Sequence, residues 1–365
     1  MVEKFRKIAV IAVFALVIFG LAIAHALVPD KELSTAERRK LSKPPQFTAE
    51  GIFNGKYFSS LESYLLDQFP LRDGFRSIKA VANYDVFGIR DNNDVYLVGD
   101  SVMRLEYPLR ENQIKIAIDK IEGIIAAHPE LGKAYFSIIP DKNYFMASAN
   151  GYPSMDYEKL FGLMTEGVTS AEYVNIVNEL SLENYYRTDS HWRQESILPV
   201  VQKLCEAMGV PAGELSDYQQ HELSPFYGVY AGQAAVPVKP ESIVYLTNDA
   251  TENALVQSVE HQEPMDVYTL SDFEGMDPYD IYLSGAEAVI TIENPNAKTD
   301  KELIIFRDSF GSSIAPLFID SYAKITLLDL RYISSALIDD YVSFENSDVL
   351  FLYSTMLLNS AGILK

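Results

Sequence analysis

With one cysteine in 365 residues, Cys205, the chain can close no internal disulfide and can build no cysteine-based metal site. Histidine is scarce too, at five, and His221 and His261 have no carboxylate or second histidine at a recognisable ligand spacing. No Gly-rich phosphate loop or dinucleotide fingerprint occurs, so the expectation is a protein without metal or cofactor. Basic residues are outnumbered, 30 Lys and Arg against 51 Asp and Glu, and the net charge of −21 argues against nucleic acid as a partner. A neutral or cationic surface substrate fits that charge better.

What the sequence does have is one long apolar run. Ile8 to Val28 is interrupted only by His25 and preceded by Lys4, Arg6 and Lys7. At about 1.5 Å per residue such a run crosses a bilayer core. The basic flank favours a cytoplasmic N-terminus, which puts the rest of the chain on the far side. The resulting expectation is a single-pass protein of the cell membrane with residues 1–7 cytoplasmic, 8–28 spanning and the main domain extracytoplasmic. A cleaved signal peptide is the competing reading, because Ala24-His25-Ala26 has a cleavage-like pattern. The run is longer than the roughly 7–15 residues of a signal h-region. Both readings export the protein.

Residues 29–46, charged and ending in Pro44-Pro45, read as a stalk. Residues 47–94 read as a helical membrane-proximal segment, a pair of helices packed on the body, with Phe58, Leu61, Leu65 and Leu66 at helical spacing before Phe69-Pro70. From residue 95 to 365 the grammar is α/β. Asn112 to His128 carries a helical apolar face, and Lys133 to Pro140, Glu287 to Ile292, Leu303 to Phe306, Ile325 to Leu330 and Val349 to Tyr353 are apolar runs of strand length. Uninterrupted runs of this kind suit a parallel sheet buried on both faces. Residues 213–283, richer in Pro, Gly and Tyr, read as an insertion of loops and short strands.

Two segments could carry chemistry. In Tyr185-Tyr186-Arg187-Thr188-Asp189-Ser190-His191-Trp192 a carboxylate and an imidazole lie two residues apart. A tight turn would let Asp189 fix the tautomer of His191 and raise its basicity, as a general base requires. The alternative is a structural turn in which Asp189 caps the following helix. In Glu302 to Ser313 an apolar strand runs into Asp308-Ser309 and a turn of small residues. A serine there would be exposed beside backbone N–H groups able to hold an oxyanion. The alternative is that Asp308 or Ser309 merely N-caps the next helix. Lys142, in Pro-Asp-Lys-Asn after a strand, is either a solvated loop lysine or a group facing the site. Asp329 and Arg331 read as a structural ion pair.

Taken together these segments resemble the DHHW protein family, with Asp-Ser-His-Trp at 189–192 in place of Asp-His-His-Trp. Further matches lie at Asp67-Gln68-Phe69-Pro70-Leu71-Arg72-Asp73, Ile139-Pro140-Asp141-Lys142, Tyr282-Leu283-Ser284-Gly285, Arg307-Asp308-Ser309-Phe310 and Asp329-Leu330-Arg331-Tyr332. That family is similar to the alginate O-acetyltransferase-like branch of the SGNH hydrolases. The resemblance implies an SGNH-hydrolase-like three-layer α/β fold with a parallel central sheet, preceded by the N-terminal transmembrane helix. It implies Ser309 as nucleophile, His191 as general base and then acid, and Asp189 as the group orienting the imidazole. Backbone N–H groups of Ser309 and Gly285 would hold the oxyanion, and Trp192, Arg307 and Lys142 are candidate substrate contacts. Two departures stand out: Arg307 precedes Asp-Ser where the wider superfamily has Gly, and Ala286 follows Gly285 where an oxyanion Asn would stand.

The function implied is a serine O-acyltransferase or esterase acting on a cell-surface or exported polysaccharide, its acyl groups delivered by a multi-pass membrane partner. Two other readings remain at this point. One is a non-catalytic carbohydrate-binding or assembly protein that keeps the fold, and the other is a membrane-anchored structural protein.

Overall fold

The computed structural model describes residues 2–345 and 347–365. Residue 1, part of the expected cytoplasmic segment, and residue 346, part of the expected α/β domain, lie outside the described residues. The chain divides into two compact units, one of residues up to Asn92 together with Gly232–Pro237, the other of Asn93–Ala231 with Val238–Lys365. The first unit takes in six residues, 232–237, of the segment 213–283.

In the first unit one helix, Val2–Leu27, is long and apolar enough to cross a membrane. It starts earlier than the apolar run, and Glu3 and Lys7 pair across its first turns at 2.9 Å. Pro29 follows its end, where a residue without an N–H cannot extend the helix. The expected stalk is folded: Leu33–Ser34 pairs with Arg39–Lys40 in a short antiparallel hairpin. Helices Ala49–Phe53, Lys56–Asp67 and Arg72–Val81 follow.

This unit buries Leu41, Ala80 and Ala234, and beside them a group of ions. Asp67, at the end of its helix, takes two bonds from the Arg39 guanidinium at 2.9 and 2.5 Å and two more from Ser42. The Arg39 bonds hold its carboxyl well below the usual carboxylate range. Glu37 gathers Arg72 at 2.5 Å and Arg76 at 3.3 Å. Phe58, Leu65 and Leu66, expected to pack on the body, are instead exposed. Helical spacing located that stripe correctly, but the buried side of the helix is the one that carries Asp67.

In the second unit a seven-stranded sheet runs in the order 172–173, 134–139, 347–354, 302–307, 324–328, 289–293, 255–258. The first five strands are parallel, and 289–293 is antiparallel to both of its neighbours. Two cores explain the uninterrupted apolar runs. Leu303, Ile305, Leu350 and Leu352 face one layer with Trp192, Leu198 and Val201. Ile304, Phe306, Val349 and Phe351 face the other, with Ile114, Ile121 and Leu160 from the flanking helices. Alternate residues of one strand therefore serve opposite layers, which defines a three-layer α/β sandwich.

The expected strands appear within two or three residues of their predicted ends, and Asn112 to His128 becomes the helix Glu111–Ala127. The insertion is more ordered than its composition suggests. It forms the hairpin of Gln219–Phe226 with Glu241–Thr247 and supplies the edge strand Leu255–Ser258. Phe306 is fully buried and stacks on Phe351, ring centroids 4.6 Å apart. Phe306→Ala is expected to cost about 3–5 kcal/mol, read as a lowered urea midpoint with unchanged slope.

Candidate active site

The loop from Tyr186 to His191 is a closed turn. Tyr185 and Trp192 form an antiparallel bridge at its base, and the Tyr186 N–H donates to the His191 carbonyl at 3.1 Å. Inside it, the Asp189 Oδ1 accepts both the His191 backbone N–H at 3.1 Å and its ring Nδ1 at 2.7 Å. Oδ2 accepts the Val229 N–H at 2.8 Å. A carboxylate can only accept, so Nδ1 carries the ring proton and Nε2 is left as an acceptor. That Nε2 lies 2.7 Å from the Ser309 Oγ.

Ser309 occupies the bend between the strand Glu302–Arg307 and the helix Phe310–Ile314. It sits at the N-cap position, yet its side chain makes no capping bond. Asp308 does that work, with Oδ1 accepting the Phe310 N–H at 3.1 Å and Oδ2 accepting the Ser354 N–H at 2.9 Å. The Oγ is therefore left to the imidazole, and the residue is half-exposed whereas Asp189 is fully buried. The Ser309 backbone N–H has no acceptor among the described residues.

Four expected site residues are placed elsewhere. The Gly285 N–H donates to the Tyr282 carbonyl at 3.1 Å, so it is spent within its own turn and cannot hold an oxyanion. Its φ of +79° and the Asp280 carboxylate packed where a Cβ would lie explain the glycine. Arg307 is fully buried and donates to the carbonyls of Gly285 at 3.0 Å and Glu287 at 3.3 Å, which makes it a strut and not a substrate contact. Trp192 is also fully buried, edge-on to Phe310, with Nε1 donating to the Ser313 Oγ at 2.9 Å.

Lys142 is neither a solvated loop lysine nor a substrate contact. Its Nζ is buried against the carbonyls of Val102, Tyr186, Arg187 and Asp189 at 2.6 to 3.0 Å. Burial pulls its pKa down to about 7, while four acceptors around one nitrogen favour the charged form that can donate three protons. Asp329 and Arg331 do pair, at 2.6 Å.

Other residues at the site left no signal in the sequence. Tyr279 lies flat on the His191 ring, centroids 3.9 Å apart and planes 8° from parallel. Its hydroxyl donates to the Ser313 Oγ at 2.7 Å, so Ser313 ties Tyr279 and Trp192 together. Burial keeps that phenol well above its ordinary pKa and hence neutral. Glu241 accepts the backbone N–H groups of Arg187 and Thr188, both at 2.7 Å, and fixes the turn from outside. Gly228 packs so closely on Thr188 and Asp189 that a Cβ would overlap their backbone. One tyrosine among 23 and one carboxylate among 51 are invisible without knowing which loops meet.

The DHHW protein family model matches residues 37–128 and 160–328 of the chain. A solved DHHW family protein from Eubacterium siraeum superposes with a TM-score of 0.59 at 20% identity, covering 75% of this chain and 95% of that one. PatB1 of Bacillus cereus gives 0.57 at 17% identity, covering 72% and 96%. The same protein solved with a sulfonyl adduct gives 0.57 at 19%, covering 73% and 97%. Comparison with curated protein sequences gives no match. The fold is of the SGNH-hydrolase-like α/β type, with its mostly parallel central sheet and an apolar N-terminal helix.

Two expected outcomes follow from the support around the turn. Lys142→Met strands four buried carbonyls and is expected to cost about 3 kcal/mol or more, seen as a lowered Tm. The second concerns Glu106, whose carboxyl burial pushes up from 4.5 to about 7, with Asp141 adding to the shift. The folded chain then binds more protons than the unfolded chain between those values. The contribution to stability is full below about pH 4.5 and is lost as pH rises through about 7. Glu106→Gln should flatten that limb of a denaturation profile taken from pH 4 to 8.

Proposed function

Because the chain belongs to the DHHW protein family, we propose that it is a membrane-anchored serine acyltransferase or esterase whose nucleophile is Ser309. The observation that carries this reading is the pair of 2.7 Å contacts on the two nitrogens of His191, one to Asp189 and one to Ser309. The His191 Nε2 takes the Ser309 proton as Oγ attacks an acyl carbonyl. The negative charge that develops on the carbonyl oxygen meets the Ser309 N–H, the unspent donor beside the nucleophile. Asp189 and the face of Tyr279 stabilise the imidazolium formed at that moment. His191 then returns the proton to the departing alkoxide, leaving an acyl ester on Ser309. A second hydroxyl, deprotonated by the same nitrogen, attacks that ester and frees the serine: a sugar hydroxyl completes transfer and water completes hydrolysis.

The substrate class proposed is a cell-surface or exported polysaccharide. Support comes from the family's similarity to alginate O-acetyltransferase-like proteins and from the basic flank of the spanning helix, which favours an outward-facing main unit. Transfer needs an acyl donor at the membrane, which a multi-pass partner would deliver; hydrolysis needs none.

A sulfonyl fluoride tests the nucleophile directly. It should add its sulfonyl mass to Ser309 in the native chain and not in Ser309→Ala or His191→Ala. Ser309→Ala should also lower release of acetate from a simple acetyl ester by about 10³-fold or more. Undiminished turnover by Ser309→Ala would exclude the serine mechanism.

A further inference from the structure

Within the first unit, the spanning helix and the turn after Asp67 are held at one level. Gln68 exchanges two hydrogen bonds with Lys31, its Oε1 accepting the Lys31 N–H at 3.0 Å and its Nε2 donating to the Lys31 carbonyl at 2.9 Å. Tyr64 donates to the Asp30 carboxylate at 3.1 Å, and its ring meets His25 edge-on at 5.9 Å. A cleft between the two is lined by Leu21, Ala24 and Val28 on the helix side and by Phe69, Pro70 and Leu71 on the other. Leu21 is six residues before the helix end, about 9 Å along the axis. The turn therefore reaches back beside the apolar part of the helix.

Beside the charged residues Lys31 and Asp73, that level carries an exposed apolar stripe. Leu71, Phe75 and Ile78 lie on one face of the helix Arg72–Val81 and its entry, and are 78%, 45% and 66% exposed. Leu66 and Phe69 are exposed beside them. Leu71 holds a φ of +57°, a left-handed conformation unfavourable for a residue with a Cβ, and its side chain points outward. The spanning helix has no buried face, and Leu71 of this stripe lines the cleft that Leu21, Ala24 and Val28 of the helix line from the other side. Lys79 is exposed one residue beyond Ile78, where a cation can reach a headgroup.

We propose that Leu66–Ile78 is a second membrane contact, lying in the interfacial layer of the bilayer with Leu71, Phe75 and Ile78 inserted at the headgroup–acyl boundary. The occupant of this face is lipid. The inference rests on the spanning helix and stands whether or not Ser309 is a nucleophile.

Single-cysteine labelling of the full chain tests it. Leu71→Cys, Phe75→Cys and Ile78→Cys would each carry an environment-sensitive fluorophore, with Asp119→Cys as the exposed control and Cys205 buried and unreactive. The chain is reconstituted into phosphatidylethanolamine–phosphatidylglycerol vesicles containing lipid spin-labelled at acyl carbon 5 or 12. The expected result is blue-shifted emission at the three positions, stronger quenching by the carbon-5 label than by the carbon-12 label, and shielding from iodide. Iodide access equal to that of the Asp119 label would overturn the proposal. So would shielding that arises only in native membranes together with a protein cross-link, which assigns the face to a protein partner. All three side chains are exposed, so the substitutions remove no core contact.

Discussion

One ammonium group determines the geometry of the candidate site. Lys142, three residues beyond the strand Ala134–Ile139, places its Nζ against three carbonyls of the turn that presents Asp189 and His191 and against the carbonyl of Val102, which would otherwise point at one another. Converging carbonyl dipoles repel, and a buried cation is what permits them to converge. The neighbouring Asp141 anchors the base of that lysine. Its buried carboxylate accepts from Thr355 at 2.7 Å, from Tyr157 at 2.8 Å and from the Asn143 N–H at 2.8 Å. Sheet, lysine and turn thus form one rigid path, and the imidazole inherits its position from it.

That arrangement explains why some of the site was legible in the sequence and some was not. Asp189 and His191 are two residues apart on one short loop, so their meeting is local and spacing suffices to suggest it. Ser309 lies 118 positions further on, yet it follows a strand whose apolar run is plain, and the strand end is where such chemistry sits. The roles of Lys142, Arg307 and Trp192 were not legible, because a polar or amphipathic side chain near a site looks the same in sequence whether it faces substrate or is wrapped in carbonyls. Tyr279 was invisible for a different reason. It comes from a segment without period, and only the packed structure shows that its ring covers His191.

The two units solve the problem of burial differently. The sheet unit buries apolar residues on both faces of its strands, so its elements could be read from hydrophobic pattern to within a few residues. The first unit encloses Asp67 and Glu37 among arginines, buries little apolar surface beyond Leu41, Ala80 and Ala234, and leaves Phe58, Leu65, Leu66 and Leu71 exposed. A reading that assigns apolar positions to the core misplaces Phe58, Leu65 and Leu66 in such a unit. That exposure is what a protein surface bordering lipid would show.

The clamp on His191 has a kinetic meaning. One nitrogen of the imidazole is held by Asp189, its ring face lies against Tyr279 and the other nitrogen is aimed at Ser309. A proton lodged on Nε2 has a single exit. The fate of an acyl group on the serine would then be decided by whichever hydroxyl stands in that exit when the proton must move, so a choice between sugar and water becomes a contest for one position and not a property of the base.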